Sequence, residues 1–181
     1  MTMGADEILA FWFAPATVRR WFASDGQLDA RIRRQFAPLI EQALTGRLAA
    51  WADTPLGALA LCLLLDQFPR NAWRGSPRAF GCDHEARRVA AAAIAAGHDL
   101  MLRAEEQLFL YLPFEHSESL ADQARCLALM AGLGNTEWLE YARRHHAVIA
   151  RFGRFPHRNA VLGRTSTPAE IAFLSEPGSS F

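Results

Sequence analysis

The sequence predicts an all-α fold. Three observations lead there: apolar residues recur at spacings of three and four, strict apolar/polar alternation persists nowhere, and Gly and Pro cut the chain into helix-sized segments. Roughly seven to nine such segments with short connections imply antiparallel helical hairpins packed side by side, as an array or superhelix. At 181 residues the chain fits one domain, 1–181, and with 51% hydrophobic residues, five Trp and twelve Phe it can build a sizeable core.

Taken in order, Asp6 is suited to cap a first short helix running to Phe13, which Pro15 ends ahead of an Arg- and Trp-bearing segment from Val18 to Phe22. A longer helix follows, with Leu28, Ile32, Phe36, Leu39, Ile40 and Ala43 as its inner stripe and Gly46 just past its end. Thr54-Pro55 sets a cap before a proline at the first helical position and opens an apolar helix that ends near Gln67, stopped by Phe68-Pro69. Ser76-Pro77 repeats that start for a helix to Gly97, broken at Gly81. Further helices cover Arg103 to Tyr111, Ser117 to Met130 and Thr136 to Phe152, and Thr167-Pro168-Ala169-Glu170 opens the last with capping-box spacing. No longer repeat is present, but Phe68-Pro69-Arg70-Asn71-Ala72 returns as Phe155-Pro156-His157-Arg158-Asn159-Ala160, each copy after a helix end and before a Ser/Thr-Pro start.

Composition excludes several function classes. Nineteen basic residues balance nineteen acidic ones, so there is no bulk attraction to nucleic acid or to an anionic membrane, and neither is an expected partner. Every basic residue is Arg, which removes Schiff-base chemistry and the P-loop lysine from the inventory. Cys62, Cys82 and Cys126 lack any C-x-x-C spacing and read as reduced core thiols. Met1 to Phe13 carries Asp6 and Glu7 without a basic n-region, and the longest apolar run, Ala58 to Leu65, is far short of a membrane span, so the expected location is cytoplasmic.

Polar chemistry gathers at helix ends. Asp66 closes a helix apolar on every side, near the negative end of its dipole, and needs a cation or donor from Arg70, Arg74 or the second copy of the motif. Such a pair serves equally as a structural lock. The two motif copies supply Arg and Asn, flanked by Arg154 and Arg164, and either cradle an anion or satisfy stranded helix-end carbonyls. On the helix from Thr136 to Phe152, Trp138, Tyr141, Ala142, Val148, Ile149 and Phe152 share one arc with His145 at its centre and His146 at its margin. A core-facing histidine must find a partner or stay neutral. Leu112 to Glu118 reads as an exposed helix start capped by Ser117, where His116 beside Glu115 and Glu118 offers an acid–base group. Adjacent residues cannot all point at one ion and no H-E-x-x-H is present, so no metal is expected. No nucleophile elbow or glycine-rich phosphate loop is present.

Nearly the whole chain, from Phe11-Trp12-Phe13 onward, resembles the bacterial proteins of the domain of unknown function 924. The resemblance rests on Asp66-Gln67-Phe68-Pro69-Arg70-Asn71, on Leu112-Pro113 with His116-Ser117-Glu118, on His145, on Arg151 through Asn159, and on Gly163-Arg164 with Ser166-Thr167. It implies a TPR-like helical fold and assigns no activity. His145 rather than His146 matches the family position, and Glu115 departs from an apolar residue usual there.

The expected function is binding of a small carboxylate or phosphate ligand by Asp66, Gln67, Arg70, Asn71, His116, Glu118, His145, Arg154, His157, Arg158, Asn159 and Arg164, with no cofactor and no metal. Two alternatives stand beside it. One is a hydrolase in which His116 or His145 is a general base oriented by Glu118 or Asp66. The other is a helical scaffold whose groove takes a protein partner. The sequence leaves the oligomeric state open.

Overall fold

A computed structural model describes residues 3–179. Among them are nine α-helices and no strand, counting 55–72 as one helix: α1 (Ala5–Trp12), α2 (Pro15–Val18), α3 (Gly26–Leu44), α4 (55–72), α5 (Asp83–Ala95), α6 (Ala104–Glu115), α7 (Leu120–Gly132), α8 (Thr136–Phe152) and α9 (Pro168–Leu174). The chain divides into two compact units. The first is formed by the chain up to Arg74 together with Arg78–Pro113, and the second by Gly75–Pro77 and the chain from Phe114 onward.

In the first unit α4 is the central element. Thr54 caps it by accepting a hydrogen bond from the Gly57 N–H, and every residue from Gly57 to Cys62 is buried, as expected of a helix apolar all round. It packs against α1, α3 and α5. Phe68-Pro69 does not stop it. Between Leu63 and Gln67 the backbone widens into a π-turn, in which the Phe68 N–H donates five residues back to the Leu63 carbonyl, and the helix then resumes as Phe68–Ala72. The widened turn shifts the carbonyls that an α-helical Pro69 ring would strike, so the proline is tolerated.

All six stripe residues of α3 are buried, and Asp25 caps the helix with its carboxylate on the N–H groups of Gln27 and Leu28. Their apolar counterpart is aromatic. Trp12 is fully buried with its ring centroid 5.4 Å from those of Phe68 and Phe109, and Phe36 lies 4.9 Å from Phe68. Gly4, not Asp6, is the cap of α1, because Glu7 reaches back to the Gly4 N–H. Pro15 opens α2 rather than only ending α1, its fixed φ suiting the first helical position. Pro77–Phe80 forms a single 3₁₀ turn ahead of α5, which is the expected break at Gly81. α6 runs on to Glu115, through Pro113.

In the second unit α7 and α8 form a hairpin and pack on one another. α8 has the expected limits: Asn135 caps it through the N–H groups of Glu137 and Trp138, and Gly153 ends it at φ 69°, where a side chain would be strained. Ala142, His145, Val148 and Ile149 face inward; Tyr141, placed on the same arc by periodicity, lies at its edge and is 48% exposed. α7 starts at Leu120 rather than Ser117, since the Ser117 hydroxyl is engaged elsewhere, accepting from the Ser119 N–H and donating to Asp122. α9 is closed by the Thr167–Glu170 capping box and packs on the turn Pro156–Arg158. The three cysteines are free and buried, and among the described residues no helix is long and apolar enough to cross a membrane.

One position in the first unit is closed to any side chain. A Cβ on Gly57 would press into the Trp51 carbonyl, with the Trp51 carbonyl carbon only 2.9 Å away, and both are backbone. Gly57→Ala is therefore expected to lose about 1–3 kcal/mol of stability despite alanine's higher helix propensity. Urea denaturation measures it; an unchanged or raised midpoint would show that the 49–53 turn yields freely.

Candidate functional site

The first unit gathers Asp66, Gln67, Arg70 and Asn71 into ion-paired networks. Asp66 is 1% exposed; its carboxylate accepts from Gln67 Nε2 at 2.7 Å and faces Arg70 Nη1 at 3.2 Å. Arg70 also forks onto Asp83 at 2.9 and 3.1 Å and donates to the Asp66 carbonyl at 2.8 Å. Asn71 donates to Asp29 at 2.8 Å, and Arg74 grips the same carboxylate at 2.7 and 3.1 Å. These contacts tie α4 to α3 and α5. The expected cation against Asp66 is thus Arg70, while Arg74 serves Asp29. Asp29 and Asp83 escape sequence reasoning because each sits in the first turn of a helix, where an acidic residue is ordinary.

The second unit holds the remaining expected residues, in two roles. Glu118 receives a bidentate Arg164 fork at 2.8 and 3.0 Å and the Phe155 N–H at 2.8 Å, while Arg164 Nη2 donates to the Phe155 carbonyl at 3.0 Å. Arg164 Nε donates to Asn159, whose amide donates to Ser166. Partial burial pushes the Glu118 carboxyl upward, but the Arg164 fork and the Phe155 N–H outweigh it and hold the group below its ordinary value. Arg154 clasps Glu170 at 2.6 and 2.8 Å, which with the Thr167 N–H brings Glu170 down to about 2. Glu118, Arg154, Asn159 and Arg164 are therefore clamps on the 153–170 segment.

His145, His157 and Arg158 are brought together around the Phe155 ring, with His116 beside His145. The His145 ring lies 5.6 Å from that of Phe155, the His157 ring 5.5 Å and the Arg158 guanidinium 4.4 Å, and the His116 ring is 6.3 Å from His145. Phe155 is fully buried, His145 and Arg158 are buried, and His116 and His157 are half-buried. Nδ1 of His145 lies 2.9 Å from the Tyr141 carbonyl; as the N–H tautomer there it donates, which leaves Nε2 as an acceptor. Glu115, expected on an exposed turn, is buried at the end of α6, with Oε1 3.5 Å from His145 Nδ1 and Oε2 3.9 Å from Cys126 Sγ. Burial, then the surrounding His116, Arg158 and His157, bring His145 down to about 3, although its bond to Tyr141 opposes the shift. Burial and Arg158 bring His157 to about 4. Both rings are neutral at pH 7.

Among the described residues no three His, Cys, Asp or Glu side chains are grouped to hold a metal ion. One surface depression in the first unit is lined by Ala5, Pro55, Leu56 and Met101, and one in the second unit by Arg151, Phe152, Arg154 and Thr167.

A family model described as a bacterial protein of unknown function, DUF924, matches residues 8–178. A solved structure, that of a protein of unknown function from Agrobacterium tumefaciens, is 38% identical to this chain; the match covers 94% of this chain and 96% of that one, with a TM-score of 0.90. No curated protein matches the chain.

The His145 and His157 imidazoles make stability fall with acid. Their folded values, about 3 and 4, lie below the ordinary 6.5, so below pH 6.5 the unfolded chain binds protons that the folded chain refuses. Their contribution is complete above 6.5 and is lost toward 4, with a slope approaching about 1.4 kcal/mol per pH unit for each ring. Glu118 and Glu170 begin to matter only below their ordinary 4.5, which leaves 6.5 to 4.5 to the histidines. Urea denaturation across that window should show the fall, and His145→Gln and His157→Gln should each flatten it; equal slopes in all three proteins would contradict the assignment.

Proposed function

This chain belongs to the bacterial protein family of unknown function DUF924, and we propose that it binds a small oxyanion, carboxylate or phosphate, through His116, His157 and Arg158 in front of His145. The supporting observation is the convergence of two imidazoles and a guanidinium on one aromatic ring, with a third imidazole, His116, beside His145. Arg158 is permanently charged, and its place on the Phe155 face fixes the plane of its N–H fork. The neutral His157 imidazole can offer one N–H without bringing a charge of its own. Arginine and histidine are also the cationic side chains this composition leaves for the task, since lysine is absent.

The clamps narrow the ligand set. Arg154, Arg164, Glu118 and Asn159 are committed to one another or to Glu170 and Ser166, and Arg70 and Asn71 to Asp66, Asp83 and Asp29. Their role in this reading is to hold backbone. A second reading, in which His145 is a general base, draws on its oriented Nδ1. A ring 5% exposed that protonates only near pH 3 is a poor acceptor for a substrate proton, which favours binding over catalysis.

Thermal-shift titration with inorganic phosphate, sulfate and acetate at matched ionic strength tests the proposal. A saturable rise in Tm is expected, reaching about 2.7 kcal/mol of added stability at a hundredfold excess over Kd. Arg158→Gln should weaken the response at least about tenfold. Arg154→Gln should lower the starting Tm and leave the ligand response intact. If wild-type protein responds to none of the three anions beyond a chloride control, the binding reading is wrong.

A further inference from the structure

We infer that the exposed face of α8 is a self-association surface: it pairs antiparallel with α8 of a second copy of this chain, across a two-fold axis near Tyr141. His145 is buried on another side of the helix, so this pairing and the anion-binding reading stand or fall separately.

Glu137, Glu140, Tyr141, Arg144, Ala147 and Arg151 are all exposed, and their spacings of three, four and seven set them along one side of α8. That is the repeat at which two helices pack along a shared seam. The seam is polarised: its first half carries two carboxylates and its second half two guanidiniums, with the Tyr141 ring between them. The helix dipole accounts for Glu137 in the first turn and Arg151 in the last, because its effect fades within one turn. It does not account for Glu140 and Arg144 in the middle.

The mid-helix charges are weakly used within the chain. Glu140 precedes Arg144 by four residues, the order and spacing at which such residues ordinarily pair. The Arg144 guanidinium lies instead over the Tyr141 ring, 5.7 Å from its centroid, and Glu140 reaches only Arg143, at 3.7 Å. Arg151 rests on the Phe152 and Phe173 rings, at 4.7 and 5.9 Å, and neither Arg144 nor Arg151 meets an acid among the described residues. Stacking on a ring leaves the N–H edge of each guanidinium open to a carboxylate from outside.

A two-fold axis reverses the second helix, so the acidic half of one copy runs beside the basic half of the other. Charge then selects the register. Centred on Arg144, the pairing sets Glu137 against Arg151 at both ends but drives the two Arg144 side chains together on the axis. Centred half a turn earlier, it sets Glu140 opposite Arg144 twice, holds the two Arg144 positions about 6 Å apart along the helix, and brings the two Tyr141 rings to the centre. The second register has opposite charges at every close contact and is the one adopted. A seam of 17 residues is about 25 Å long. It covers less than the roughly 800 Å² per partner of a standard interface, which makes the pair transient, with Kd on the order of 0.1 mM.

Sedimentation equilibrium of the full chain at low salt, from about 10 µM to about 1 mM, tests the pairing. The average mass should rise from monomer toward dimer and stop there, since a two-fold contact closes on itself. At about 1 M salt, where the screening length falls to about 3 Å, the association should weaken about tenfold. Glu140→Arg and Arg144→Glu each set like charges against one another and should each leave a monomer across the range. Mixed in equal amounts, the two variants face each other with opposite charges at both contacts, and the dimer should return. Arg34→Glu, on the exposed side of α3, should leave the association unchanged. Wild-type protein that stays monomeric at the top of the range, a dimer indifferent to salt, or single variants that associate as the wild type does would each overturn the pairing. A mixture of the two variants that stays monomeric would overturn it as well.

Discussion

The candidate site depends on how one peptide is held. Phe155 lies between the end of α8 and the 156–158 turn, and both of its polar groups reach the same ion pair: its N–H donates to Glu118, and its carbonyl accepts from Arg164 as well as from the Arg158 N–H of the turn. A buried peptide without partners would cost several kcal/mol, so the clasp largely determines where the residue can sit. The ring that this peptide carries is the one around which His145, His157 and Arg158 are arranged. Loss of Arg164 would therefore act on the site through Phe155, leaving Glu118 with an unbalanced, half-buried charge and the 155–158 turn without its anchor.

The same device recurs at several carboxylates of this chain. Asp66 is met by Arg70 and Gln67, Asp29 by Arg74 and Asn71, Glu118 by Arg164, and Glu170 by Arg154. Arginine suits the task because a planar fork satisfies both carboxylate oxygens at once, which a point-charge ammonium cannot do. In the first unit the device also stabilises an irregular backbone. The π-turn that lets α4 pass Pro69 leaves the Asp66 carbonyl to be met by the Arg70 side chain, which the same guanidinium does while holding Asp83.

Much of the fold could be read from sequence where the signal is local. Asn135 and Gly153 bracket α8 because a side-chain cap and a left-handed glycine act within one turn. The α3 stripe and the Thr54 and Thr167 caps were legible for the same reason. The end assigned to α4 at Phe68-Pro69 was wrong because a π-turn depends on tertiary surroundings and not on propensity. The two Phe-Pro motifs show the limit most clearly: one continues a helix with its Asn on Asp29, the other forms a short 3₁₀ turn with its Asn on Ser166 and Arg164. At the site, residue types were legible and roles were not. Arg154, Arg158 and Arg164 look alike along the chain, but the partner of Arg164 is 46 positions away and that of Arg154 is 16, distances over which sequence carries no pairing information.

The clamps and the cluster on Phe155 are made of different groups. Each clamp brings opposite charges together and is electrically complete, so it gains nothing from a further ion. The cluster on Phe155 sets a permanent cation beside rings that burial keeps uncharged, His145 and His157. Keeping imidazoles neutral beside a guanidinium lowers the cost of the empty state, since unprotonated rings do not repel Arg158. The burial that weakens His145 as a catalytic base thus also keeps it from adding a second positive charge beside Arg158.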